Sequence, residues 1–237
     1  MGKHQFMLGY DYVLYALHQL RIIMYAEMGH LVVVGGSGSG KSTALLYWLY
    51  KMRHLNVNLW VADFKKSGEF AGITRNFAEF EAAYDLILNF YEKFLSLPEG
   101  GDGGTHILLI DEIAGMLSHY GMTKDGKAKA DKIRMILSTL LMLGRSRRVY
   151  VWLSMQRYSA SIFPSASGAG DNLHIMVGLG RLSIEGRRGL FGGEHFEREE
   201  ELQFGQGRGI VLMDGQPLRA VIIPQVSKKK LLTLLQK

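Results

Sequence analysis

The chain has 237 residues, no cysteine and a formal net charge of +6, from 28 Lys and Arg against 22 Asp and Glu. Disulfides and thiolate metal sites are excluded, and the charge is a weak push towards a polyanionic partner. The apolar stretch 7–28 is broken by Asp11, His18, Gln19, Arg21 and Glu27, so neither a signal-peptide core nor a membrane span of about 20 apolar residues can be drawn through it, and a cytoplasmic location is expected.

The first strong element is LVVVGGSGSGKST at 31–43, where an apolar strand runs straight into a glycine-rich loop closed by Gly-Lys-Ser. It fits the phosphate-binding pattern GxxxxGK[ST] with Gly35, Gly40, Lys41 and Ser42. Backbone N–H groups of Gly35, Gly36, Ser37, Gly38, Ser39, Gly40, Lys41, Ser42 and Thr43 are the candidates to cradle a nucleoside triphosphate. Lys41 would reach the β and γ phosphates and Ser42 would offer its hydroxyl to Mg²⁺. A helix over 41–54 would point its N-terminus at the anion.

A second strand follows at 58–63, then a helix over 77–97 and a glycine-rich loop at 98–104. The run HILLIDE at 106–112 places Asp111 and Glu112 at the carboxyl end of a buried strand, a Walker B pattern. Asp111 is expected to hold Mg²⁺ through its water shell, and Glu112 to orient and deprotonate the attacking water. The intervening strand and the adjacent glutamate favour a RecA-like additional-strand ATPase over a GTPase or nucleotide kinase.

The helix over 127–143 carries Ile133, Ile136, Leu137, Leu140 and Leu141 at helical spacing, and these and the nearby methionines read as core. Arg145, Arg147 and Arg148 precede the fourth strand at 149–154. One of them, or Arg157, Arg181, Arg187 or Arg188, is the candidate arginine finger for a neighbouring subunit. Gln156, at the end of that strand, is the candidate γ-phosphate sensor. A Ser/Gly loop at 159–171 is expected to be mobile. A strand at 173–179, a helix over 182–190 and an acidic segment with five glutamates at 194–201 follow. The chain ends in a hairpin turning at Asp214-Gly215 and a short helical tail after Lys228-Lys229-Lys230. The pattern predicts an α/β fold with a mainly parallel central sheet flanked by helices and closed by a C-terminal β-hairpin. A single domain over 1–237 is expected, with its core at about 29–224.

Taken together, GHLVVVGGSGSGKST, WVADFKKSGEF, HILLIDEIA, LGRSRRVYVWLSMQR and GQGRGIVL resemble the motor domain of the FtsK/HerA superfamily of DNA-pumping ATPases, over about 29–224. Gly29 stands where that family usually has proline, Asp63-Phe64-Lys65 replaces Asp-Pro-Lys, and Met155-Gln156-Arg157 replaces Thr-Gln-Arg. The resemblance implies ATP as the nucleotide, Lys41 and Ser42 on Mg·ATP, Asp111 and Glu112 in hydrolysis, and Gln156 as sensor. It also implies a coupling role for Asp63 with Lys65 and a hexameric ring threading double-stranded DNA, as in element transfer or viral genome packaging. Lys124, Lys127, Lys129, Lys132 and Arg134, with the loop 159–171, are the candidate DNA grips. The alternatives are a coupling ATPase of conjugation or specialised secretion, with a membrane or loading partner, and a nucleotide-dependent switch or assembly factor.

Overall fold

The computed structural model describes residues 4–165, 167–197, 199–229 and 232, so the expected C-terminal helical tail lies largely outside the described residues. In chain order the elements are β1 (Gln5–Asp11), α1 (Tyr12–His18), β2 (Ile23–Glu27), β3 (Leu31–Val34), α2 (Lys41–Lys51), β4 (Val57–Asp63) and β5 (Asn76–Glu79). There follow α3 (Ala82–Ser96), β6 (Thr105–Asp111), α4 (Ile113–Gly121), α5 (Lys124–Leu143), β7 (Val149–Met155), β8 (Ile175–Leu179), α6 (Ile184–Phe191), β9 (Arg208–Met213) and β10 (Arg219–Ile222).

Every residue of β3 and β6 is buried, as expected for strands covered by helices on both faces. The ten strands form one sheet in the order β2-β1-β10-β9-β8-β3-β7-β6-β4-β5. The run from β8 to β5 is parallel, and the run from β2 to β8 is antiparallel. Strand β7 pairs with both β3 and β6, so an additional strand separates the P-loop strand from the acidic one. Registers Val34↔Met155 and Asp63↔Asp111 bring the carboxyl ends of four strands to one edge. That edge of an open parallel sheet is where ligands bind.

Two cores cover the sheet. Ile133, Ile136, Leu137, Leu140 and Leu141 of α5 pack on one face with α3 and α4. On the other, Leu45, Trp48 and Leu49 of α2 pack with Phe6, Leu8 and Met24. The N-terminal residues are therefore core, not a short segment outside it. Trp48 Nε1 donates to the Leu8 carbonyl at 2.8 Å, and Arg219 pairs with Asp11 at 2.8 Å. Strand β2 alternates exposed and buried residues over only five positions, which left little signal in the sequence.

Three other expectations change. The helix expected over 77–97 begins as β5, because Asn76–Glu79 finds a parallel partner in β4, and Phe80, at φ +48°, breaks the chain before α3. Helix α4 was not anticipated. The loop 159–171 is pinned to the core by Ile162, Phe163 and Ala169, where a mobile segment was expected. No helix among the described residues is long and apolar enough to cross a membrane.

Candidate functional site

The P-loop is built by close backbone approach. Gly35 N–H donates to the Met155 carbonyl at 3.2 Å, tying the loop to the end of β7. A Cβ on Gly35 would lie 2.4 Å from the Leu179 carbonyl oxygen, so only glycine fits. Behind the loop, Gly207 N–H donates to the Ser39 carbonyl at 2.8 Å. This brace comes from the GQGRG stretch, whose role the sequence did not reveal; its signal was two glycines just before a strand. Gly36, Ser37 and Gly38 form the exposed crown, and Ser42 and Thr43 lie half-buried in the first turn of α2.

Gly40 has φ +95°, and a Cβ there would come within 2.9 Å of the Gly207 nitrogen. Gly40→Ala therefore strains the loop and its brace together and is expected to weaken nucleotide binding at least about tenfold. Titration with a fluorescent ATP analogue measures this, and unchanged affinity would refute the tight fit.

Lys41, 7% exposed, folds Nζ onto the carbonyls of Gly35 at 2.6 Å and Gly36 at 3.0 Å. Burial, then repulsion from Lys65, lowers its pKa; Glu112, Asp111 and Glu69 act in the opposite sense. Its ammonium is held in the loop by acceptors that a phosphate can replace.

Beside it lies a buried acidic pair. Asp63 is fully buried, and its Oδ2 accepts from Ser67 N at 3.2 Å and Ser67 Oγ at 3.0 Å, while Oδ1 has no partner. Its strand neighbour Asp111 is pushed up to about 6, chiefly by burial, with Asp63 and Glu112 adding repulsion; the Ser154 hydroxyl and Lys65 oppose this. The oxygens of Ser42 and Asp111 are the hard donors that could hold a Mg²⁺ shared with phosphate, whose charge would offset the repulsion between the buried carboxylates.

Glu112 is a non-glycine residue in the left-handed region, at φ 62°, ψ 50°, as N-cap of α4. Its side chain runs beside Gly115, where a Cβ would come within 3.0 Å of Glu112 Cγ. Such strain is retained where the surroundings over-determine it, and here it sits at the carboxyl edge next to Asp111.

Gln156 and Arg157 follow β7 directly and are exposed at the same edge as the P-loop. The arginines before β7 lie at the other end of that strand, so the structure does not bring Arg145 to its own P-loop. Arg147 is committed within the chain, donating to the Phe94 carbonyl at 3.1 Å and lying 4.9 Å over the Phe94 ring. Of the candidate grips, Lys129 lies 3.8 Å from Glu81 and over Tyr84 and Tyr120 at 5.2 and 5.4 Å. Arg134 pairs with Asp131 at 2.8 Å and donates to the Ser161 carbonyl at 3.1 Å. Lys124, Lys127 and Lys132 are exposed on α5, Lys132 6.0 Å over the Tyr91 ring.

No protein-family model matches the chain, and no curated protein matches it. Solved structures do. The chain is similar to the pCW3 conjugation coupling protein TcpA, in its monomer form with ATPgS, at TM-score 0.75 and 18% identity over 100% of this chain and 71% of that one. It is similar to the cytoplasmic domain of the Thermomonospora curvata type VII secretion ATPase EccC at TM-score 0.69 and 17% identity, covering 98% of this chain but only 30% of that one. A third is the genome packaging NTPase B204 of Sulfolobus turreted icosahedral virus 2 in complex with AMPPCP, at TM-score 0.53, 16% identity, 81% of this chain and 96% of that one. The chain shares the fold of these ATPases, a RecA-like mixed sheet flanked by helices.

Proposed function

We propose that this chain hydrolyses ATP to pump double-stranded DNA, working as a homo-oligomeric ring, hexameric as the resemblance implies, on the cytoplasmic side of any membrane or loading partner. The observation that carries the reading is the convergence of Lys41, Asp111 and Glu112 at one sheet edge, with β7 between their strands. Lys41 exchanges its carbonyl partners for the β and γ phosphates. Ser42 and Asp111 would hold Mg²⁺, which would neutralise charge on the phosphate oxygens. Glu112 accepts a proton from the attacking water, Gln156 reports the γ phosphate to the residues after β7, and Asp63 with Lys65 couples the site to its surroundings.

A coupling ATPase with a protein or nucleoprotein cargo is the second reading. It is favoured by the likeness to TcpA and EccC, which is closer by TM-score than that to B204. A slow nucleotide switch is disfavoured by Glu112, since an efficient base is wasted on a timer.

Steady-state ATP hydrolysis with and without long double-stranded DNA, with Lys41→Ala as blank, separates the two. Strong stimulation that fades between about 50 and 200 mM salt is the expected result, because phosphate contacts release counterions. Hydrolysis indifferent to DNA rejects the DNA cargo and supports the second reading.

A further inference from the structure

At the sheet edge opposite the P-loop lies a second polar cluster that takes no part in the chemistry above. His174, just before β8, brings Nε2 within 3.3 Å of Arg145 Nη1 and 3.7 Å of Asp214 Oδ2. Its backbone is fixed twice: its N–H donates to the His30 carbonyl at 3.0 Å, and its own carbonyl accepts from Asp214 N at 3.1 Å. Its side chain packs against Gly29, where a Cβ would come within 2.7 Å of His174 Cβ. Behind it stands His30, fully buried, with Nδ1 accepting the Val151 N–H at 3.0 Å and its ring 5.5 Å from that of His174.

These contacts hold one nitrogen of His174 towards an exposed arginine. Burial lowers the His174 pKa, Asp214 opposes this and Arg145 adds to it, so the imidazole is neutral at pH 7. A neutral ring accepting at Nε2 carries its proton on Nδ1, and Arg145, which can only donate, is the matching partner. Arg145 is exposed, whereas Arg147 of the same turn is spent on Phe94. The seven residues of β7, about 20 Å of strand, separate Arg145 from its own P-loop edge, so the only nucleotide it could meet is one held by another molecule.

We infer that His174, steadied by Asp214, is a positioning residue that aims Arg145 at the nucleotide held by an adjacent copy of this chain. The inference rests on the ring ATPase proposed above. A head-to-tail contact, with the arginine edge of one copy on the P-loop edge of the next, is the heterologous type that closes into rings.

Steady-state hydrolysis by the full chain tests it with Arg145→Ala, His174→Ala, His174→Gln and the double variant. Arg145→Ala is expected to lower kcat by roughly 10³-fold. His174→Ala is expected to lower kcat roughly tenfold or more with KM little changed, the mark of an interaction made in the transition state. His174→Gln, whose Oε1 can accept the same N–H, restores most of the rate, and His174→Ala costs nothing further once Arg145 is gone. Mixing Lys41→Ala with Arg145→Ala chains regains activity, because one supplies the arginine and the other the P-loop. Full kcat in His174→Ala beside an impaired Arg145→Ala overturns the positioning role and leaves the ring standing. Full kcat in Arg145→Ala overturns the inference, since Arg145 then serves no nucleotide, while regained activity on mixing Lys41→Ala chains with variants of the other candidate arginines would leave the ring standing. Equal losses in His174→Ala and His174→Gln, with a lowered Tm, make His174 merely structural and overturn the inference.

Discussion

Glu112→Gln is expected to lower the maximal rate of ATP hydrolysis by roughly 10²- to 10⁴-fold while ATP remains bound. The glutamine keeps the size of the side chain, its passage beside Gly115 and the N-cap position, so only the proton acceptor is lost. The backbone explains why the proposed base is placed so firmly. A non-glycine residue at φ 62°, ψ 50° is strained by about 1–2 kcal/mol. That strain is held by the strand on one side and, on the other, by the Glu112 carbonyl accepting from Met116 N at 3.0 Å. Glu112→Gly relieves the strain yet loses hydrolysis equally, which separates the chemical role from the structural one. Phosphate release and retained nucleotide, measured on the same samples, check both changes. A rate within tenfold of the parent chain in Glu112→Gln would place the base elsewhere.

Asp111→Asn is expected to abolish hydrolysis and, in nucleotide-free protein, to stabilise the fold by about 3 kcal/mol at neutral pH. The reason is the acid pair. The carboxyl has an ordinary value of 3.8 and is raised to about 6 by burial and by Asp63 and Glu112. The native state therefore holds this proton more tightly than the unfolded chain. Its contribution is fully present below about pH 4 and is lost as pH rises to about 6. Asparagine does not ionise, so the variant's advantage is absent in acid and grows across that window. Urea unfolding at about pH 4.5, 6 and 8 reads the difference. Mg·ATP should reverse the order, because only the carboxylate gains from the cation, and binding stabilises whichever chain binds. A constant stability difference at every pH would show that burial and repulsion at Asp111 are not its cause.

The sequence carried the nucleotide site because that site is mostly local. A strand, a glycine loop and a helix start are contiguous from 31 to 43, and phosphate recognition needs their residue types at fixed spacing. The parallel strands were legible for a related reason: strands covered on both faces are continuous apolar runs, as β3 and β6 are. The antiparallel β1, the five-residue β2, the four-residue β5 and the nine-residue α4 were not, since each owes its conformation to partners distant in sequence. Among the arginines, the chain order left Arg145, Arg147 and Arg148 equivalent; packing committed Arg147 to Phe94 and set Arg145 against His174.

By itself, then, the sequence singled out the candidate triphosphate-binding residues and the two candidate carboxylates, because those are properties of short segments. Only the tertiary structure decided that Asp63 lies against Asp111, that Gly207 braces the P-loop from 168 residues away, and that Arg145 faces away from its own site. These follow from strand order and register, which are chosen by burial of whole faces and leave no trace in any single stretch of chain.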